Sequence, residues 1–117
     1  MKNRMNVLGR SLFLFFPILY FTSCNSADTD LSKNTNSVDT VIIKQMQFFP
    51  AEINVNMGDT IVWINNDLVP HNVTSLQSGA FYSDTINVGA SWKMEVKDSA
   101  SYLCSIHPTM IAKINVK

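Results

Sequence analysis

Residues 38–117 predict an all-β domain, a sandwich or barrel of short antiparallel strands, on three observations. β-Branched and aromatic segments alternate in a period of two, turn signals separate them, and no stretch sustains a helical period across three turns. The segments are Thr40 to Ile43, Ile53 to Val55, Thr60 to Ile64, Val73 to Ser75, Trp92 to Val96, Ser101 to Cys104 and Ala112 to Val116. Met57-Gly58-Asp59 and Val88-Gly89 supply turns between them. Trp63, at an alternating strand position, is expected in the core, and Trp92 in the core or at the surface. A domain of about 80 residues is at the small end for one hydrophobic core, so a bound metal would help to stabilise it.

The chain before this domain has a different character. Lys2, Arg4 and Arg10 precede an apolar run from Leu12 to Phe21, and the small residues Thr22 and Ser23 stand directly before Cys24. That is the layout of a secretory signal over residues 1–23. The run is about half the roughly 20 residues a transmembrane helix needs, and Pro17 interrupts it. A cysteine at this position resembles the lipobox of bacterial lipoproteins, although Phe21 stands where that family prefers Leu. The resemblance implies that Cys24 is acylated and becomes the mature N-terminus. The polar segment Asn25 to Ser37 has one large apolar side chain and is expected to be a flexible tether, so residues 24–37 form a lipidated N-terminus and tether. The expected location is the cell envelope, anchored to a membrane and facing the periplasm or the cell surface.

Removing residues 1–23 takes away three bases and no acid, leaving six Lys and Arg against nine Asp and Glu, a net charge of −3. Such a domain carries no electrostatic footprint for nucleic acid and no polybasic membrane patch.

Of the two cysteines, Cys24 is consumed by the anchor and Cys104 is left alone in a compartment where thiols normally pair. A metal-bound thiolate accounts for Cys104 better than a buried small hydrophobe does, because His107 follows at the third position and Met110 at the sixth. His71 is the other histidine of the chain. Thiolate, two imidazoles and thioether are the donors of a blue-copper electron-transfer centre with a weak axial sulfur. Soft thiolate and borderline imidazoles suit both Cu(I) and Cu(II), and Pro108 restricts the backbone directly after His107. Met46, Met57 and Met94 are read as packing residues. No pair of acids stands at a spacing that suggests acid–base catalysis.

The run from Phe49-Pro50-Ala51-Glu52 through Gly58-Asp59-Thr60-Ile61-Val62-Trp63 to Pro70-His71-Asn72-Val73 resembles the first half of a small cupredoxin. Phe81-x-Ser83-x-x-Ile86 and Tyr102-x-Cys104-x-x-His107-Pro108-x-Met110 resemble the second. The likeness covers residues 38–117, and the two-residue gap between His107 and Met110 is similar to amicyanins. It implies a Greek-key β-sandwich of about eight strands in two sheets, with one copper ion at one end, held by His71, Cys104, His107 and Met110. Asn72, flanked by Pro70, would tie the two ligand loops together and point its N–H at the thiolate. Electrons would pass through His107, ringed by Val69, Pro70, Pro108 and Thr109, to transient redox partners. The expected function is a monomeric, non-enzymatic one-electron carrier. The alternative is a carrier or storage protein that delivers copper to a larger cuproenzyme. An enzyme with a second copper site would need more histidines than the chain supplies.

Overall fold

The computed structural model describes residues 35–117. The proposed signal segment, Cys24 and the polar segment as far as residue 34 lie outside the described residues. Eight strands follow in order: β1 (Val38–Lys44), β2 (Gln47–Phe49), β3 (Glu52–Val55), β4 (Thr60–Asn65), β5 (Thr74–Ser75), β6 (Ser91–Glu95), β7 (Ala100–Leu103) and β8 (Ile111–Val116). All seven expected segments form strands, with ends shifted by a residue or two, and no helix occurs among the described residues. β2 is the addition. Three residues with only Phe48 buried are too short to show alternation in a sequence.

One sheet has the strand order β2-β1-β4-β6 and the other β3-β8-β7-β5, giving the expected two-sheet sandwich. The expectation of uniformly antiparallel pairing is corrected at two places. β1 runs parallel to β4, from Val38 beside Thr60 to Ile43 beside Asn65, and β3 runs parallel to β8. Parallel neighbours need a long crossover, and here residues 45–59 supply it: the chain leaves through the β1–β2 hairpin, crosses to the second sheet as β3, and returns as β4. Gly58 closes that return at φ +89°, a conformation suited to a residue without Cβ, and its N–H donates to the Val96 carbonyl at 2.8 Å.

The period-two pattern decides what is buried. β4 alternates half-buried and buried positions, turning Ile61, Trp63 and Asn65 inward, and β3 turns in Ile53 and Val55. Val41 and Ile43 join them from β1, Phe48 from β2, Tyr102 from β7, and Ala112 and Ile114 from β8. Each fully buried large side chain contributes about 1.5–3 kcal/mol of transfer free energy. The two largest polar-tipped members satisfy one another, because Trp63 Nε1–H donates to the Tyr102 hydroxyl at 3.1 Å. Met94 packs partly against this core, whereas Met57 and Met46 are exposed.

Candidate metal centre

Two loops leave the same end of the sandwich. The first follows β4 and carries His71; the second joins β7 to β8 and carries Cys104, His107 and Met110. The first is shaped by Asn65, whose side-chain amide donates to the carbonyls of Val69 and Ile86, both at 2.9 Å, while its Oδ1 accepts the Asp67 N–H at 3.0 Å. A paired backbone bridge between His71 and Ile86 then pins the histidine: His71 N–H to Ile86 O at 3.2 Å, and Ile86 N–H to His71 O at 2.7 Å. The second loop folds upon itself. Cys104 N–H donates to Met110 O, His107 N–H to Cys104 O, and Met110 N–H to His107 O, each within 3.0–3.1 Å. Each candidate ligand on this loop is thereby fixed by the backbone of the next.

The side chains converge. Cys104 Sγ lies 3.8 Å from Nδ1 of His71 and 3.8 Å from Nδ1 of His107, and the two Nδ1 atoms are 3.2 Å apart. His71 and Cys104 are fully buried and His107 is half-buried. A point equidistant from the three donor atoms lies about 2.1 Å from each, the length of a metal–imidazole bond and slightly short of a metal–thiolate one. The residues present therefore fit a metal ion. Met110 is buried in the same loop, 3 % exposed, with its backbone tied to both Cys104 and His107.

Asn72 joins the two loops as the sequence suggested. Its N–H points at Cys104 Sγ at 3.4 Å, its Oδ1 accepts the Ser105 N–H at 2.7 Å, and its Nδ2 donates to Ser105 Oγ at 2.7 Å. On the two ligand loops, Leu68 is 90 % exposed, and Val69, Pro70, Ile106, Pro108 and Thr109 are exposed as well.

Sequence reasoning missed Asp67. Its Oδ2 lies 3.0 Å from His71 Nε2 and accepts the Met46 N–H at 2.8 Å, while Oδ1 accepts the Leu68 N–H at 2.8 Å. These bonds, led by the two backbone amides, hold the carboxyl below its ordinary pKa of 3.8. An ionised carboxylate only accepts, so the proton of neutral His71 sits on Nε2 and Nδ1 is left bare toward the sulfur. The Met46 amide is presented by a two-residue turn in which Gln45 and Met46 take positive φ of 51° and 59°. Each of these left-handed non-glycine residues costs about 1 kcal/mol, which the hydrogen bond to Asp67 helps to offset. The available signal was Asp67 four residues before His71, a spacing that has no meaning outside a helix until the loop is folded.

A β-sandwich with a cysteine and two histidines converging at one end defines the class as a small metal-binding sandwich. The signature of copper-binding proteins of the plastocyanin/azurin family matches residues 35–117, and the chain belongs to that family, with copper as its cofactor. It is 26% identical to amicyanin of Paracoccus versutus over 81 residues, covering 64% of this chain and 61% of that protein. To amicyanin of Paracoccus denitrificans it is 29% identical over 83 residues, covering 66% and 63%. The match thus spans less than two thirds of the length of either relative. A purple cupredoxin from Nitrosopumilus maritimus shares the fold with a TM-score of 0.63 and 24% identity, covering 68% of this chain and 99% of that one.

Proposed function

We propose that the chain is a one-electron carrier rather than an enzyme, with His71, Cys104, His107 and Met110 as the residues that would hold the copper. The observation that carries this reading is the convergence of one sulfur and two Nδ1 atoms, held in place by the Asn72 and Asp67 hydrogen bonds. A copper ion held there supplies a one-electron couple. The protein's part is to hold the donors still, so that little rearrangement accompanies a change of charge. His107, half-buried within the exposed rim of Leu68, Val69, Pro70, Ile106, Pro108 and Thr109, is the port, and a small apolar rim suits brief encounters with redox partners.

The cell-envelope location and the lipid anchor at Cys24 belong to the same proposal. In support, the polar segment joins the domain at Ser37, beside Asp59 at the other end of β4 from the ligand loops. A monomeric state belongs to the same proposal.

The test is the colour and voltammetry of the copper-loaded full chain. An intense visible charge-transfer band and a reversible one-electron couple are expected. A colourless protein that passes its copper to a chelator would overturn electron carriage in favour of copper delivery. Fatty-acid labelling that marks the wild type and is lost in Cys24→Ala is the expected result for the anchor.

A further inference from the structure

Three oxidisable aromatic side chains lead from the strand that ends one residue before the cysteine to the opposite sheet's edge. Tyr102 stands two residues before Cys104, so their side chains share a face, and both are fully buried. Across the sandwich, Trp63 of β4 has its ring centroid 5.7 Å from that of Tyr102, with their rings edge to face and joined by the 3.1 Å hydrogen bond. Trp92 is the direct antiparallel partner of Trp63 on β6, with its ring 5.2 Å away. β6 is the edge strand of its sheet, and Trp92 is half-buried where Trp63 has no exposed surface. The three therefore form a run of ring contacts from the half-exposed Trp92 to Tyr102, two residues before Cys104.

We propose that Trp92, Trp63 and Tyr102 form a second electron route, through which a strong one-electron oxidant arriving at the β6 edge draws its electron from the metal centre. Only the last step rests on the reading of that centre as a copper site. The oxidant class is a peroxyl-type radical, which gains one electron and a proton from water to become a hydroperoxide. Trp92 gives up that electron, Trp63 refills Trp92, and the electron that refills Trp63 crosses Tyr102 from Cu(I) at Cys104, which ends as Cu(II). No bond within the protein forms or breaks, and the side chains end as they began.

The surroundings decide where the oxidising equivalent rests on its way. The hydrogen bond found for the Tyr102 hydroxyl is the one it accepts from Trp63. An oxidised phenol must lose its proton to a base, and that hydroxyl meets a donor instead. Tyr102 is thus a bridge, while the two indoles, which form cation radicals without losing a proton, are the stopping points. Trp92 reaches solvent and is where the radical meets the oxidant.

The full chain carrying Lys93→His, with a ruthenium(II) polypyridyl complex coordinated at that exposed position and flash-quenched to ruthenium(III), tests the route. In zinc-loaded protein, which has no electron to give, a tryptophan radical should appear by transient absorption and electron paramagnetic resonance and vanish with Trp92→Phe. In Cu(I)-loaded protein, Trp92→Phe should slow oxidation of the copper by about tenfold or more. Trp63→Phe should leave the Trp92 radical in place and lengthen its life by a similar factor, which a change in stability alone would not do. Absence of the radical in zinc-loaded protein, or copper oxidation at an unchanged rate in Trp92→Phe, overturns the route. Failure of the copper reading would show separately, as a Cu-loaded protein without the blue band whose zinc-loaded form still gives the radical.

Discussion

Asp59 and Asp67 stand at the two ends of β4 and use the same device for different ends. Each carboxylate reaches back to a backbone amide more than twenty residues away: Asp59 to Ser37 and Asp67 to Met46, both at 2.8 Å. Each also takes an amide from its own loop, Asn56 in one case and Leu68 in the other, and each is held below its ordinary pKa chiefly by those backbone bonds. They differ in the third partner. Asp59 takes the Asn56 side-chain amide and closes a purely structural loop, whereas Asp67 takes the imidazole of His71. A loop-organising carboxylate becomes part of a metal centre simply by which donor stands third, and the two ends of one strand can be separated experimentally on that basis.

The largest expected effect lies at the metal end. Cys104→Ser replaces the thiolate by a hydroxyl and should abolish the visible charge-transfer band while the β-sheet circular dichroism persists; a variant that stayed blue would refute the ligand assignment. Next in size, Asp67→Asn should weaken copper binding by about 10–100-fold, measured by competition with a chelator, and shift the reduction potential. Asp59→Asn should do the reverse, lowering Tm by roughly 5–10 °C and leaving the absorption spectrum and potential where they were. If Asp59→Asn moved the potential as much as Asp67→Asn, the two ends would not be separable and the contrast would fail.

Acid supplies the smallest and sharpest test. The folded-state pKa of Asp59 lies below its ordinary 3.8, so its contribution to stability is present above that value and is lost as pH falls through the lower folded value. Denaturant unfolding of the metal-free chain should therefore show stability falling below pH 3.8, with a shallower fall in Asp59→Asn. Equal slopes in the two proteins would show that the Ser37 and Asn56 bonds do not hold Asp59 ionised.

Much of the centre was legible beforehand because its residues lie close in sequence and carry rare chemistry. Cys104, His107 and Met110 share one seven-residue run, and a lone cysteine followed at that spacing by histidine and methionine sets thiolate, imidazole and thioether side by side. Asn72 was legible only through the resemblance to cupredoxins. Asp67 was not, because a carboxylate four residues from a histidine faces it only if the loop turns back, and that turn is imposed by Asn65 binding Val69 and Ile86. Nor was the Met46 amide, which reaches Asp67 only through the left-handed Gln45-Met46 turn, made here without the glycine or asparagine that usually announces such a turn. The aromatic line was half visible: Trp63 was expected inside, but its pairing with Trp92 across β4 and β6 and with Tyr102 across the sandwich was not.

By itself the order of residues determined the all-β class, which side chain of each long strand faces inward, and a candidate donor set that suits a soft metal ion. Those follow from local rules: period two sets the buried face, and thiolate, imidazole and thioether narrow the choice of metal. The tertiary structure alone decided that β1 and β3 have parallel neighbours, that Asp67 meets His71, and that Trp63 packs against both Trp92 and Tyr102. Alternation states which face a side chain occupies and says nothing of which strand lies beside it or in which direction that strand runs. Those relations arise only when distant segments compete to bury the same apolar faces and pair the same amides.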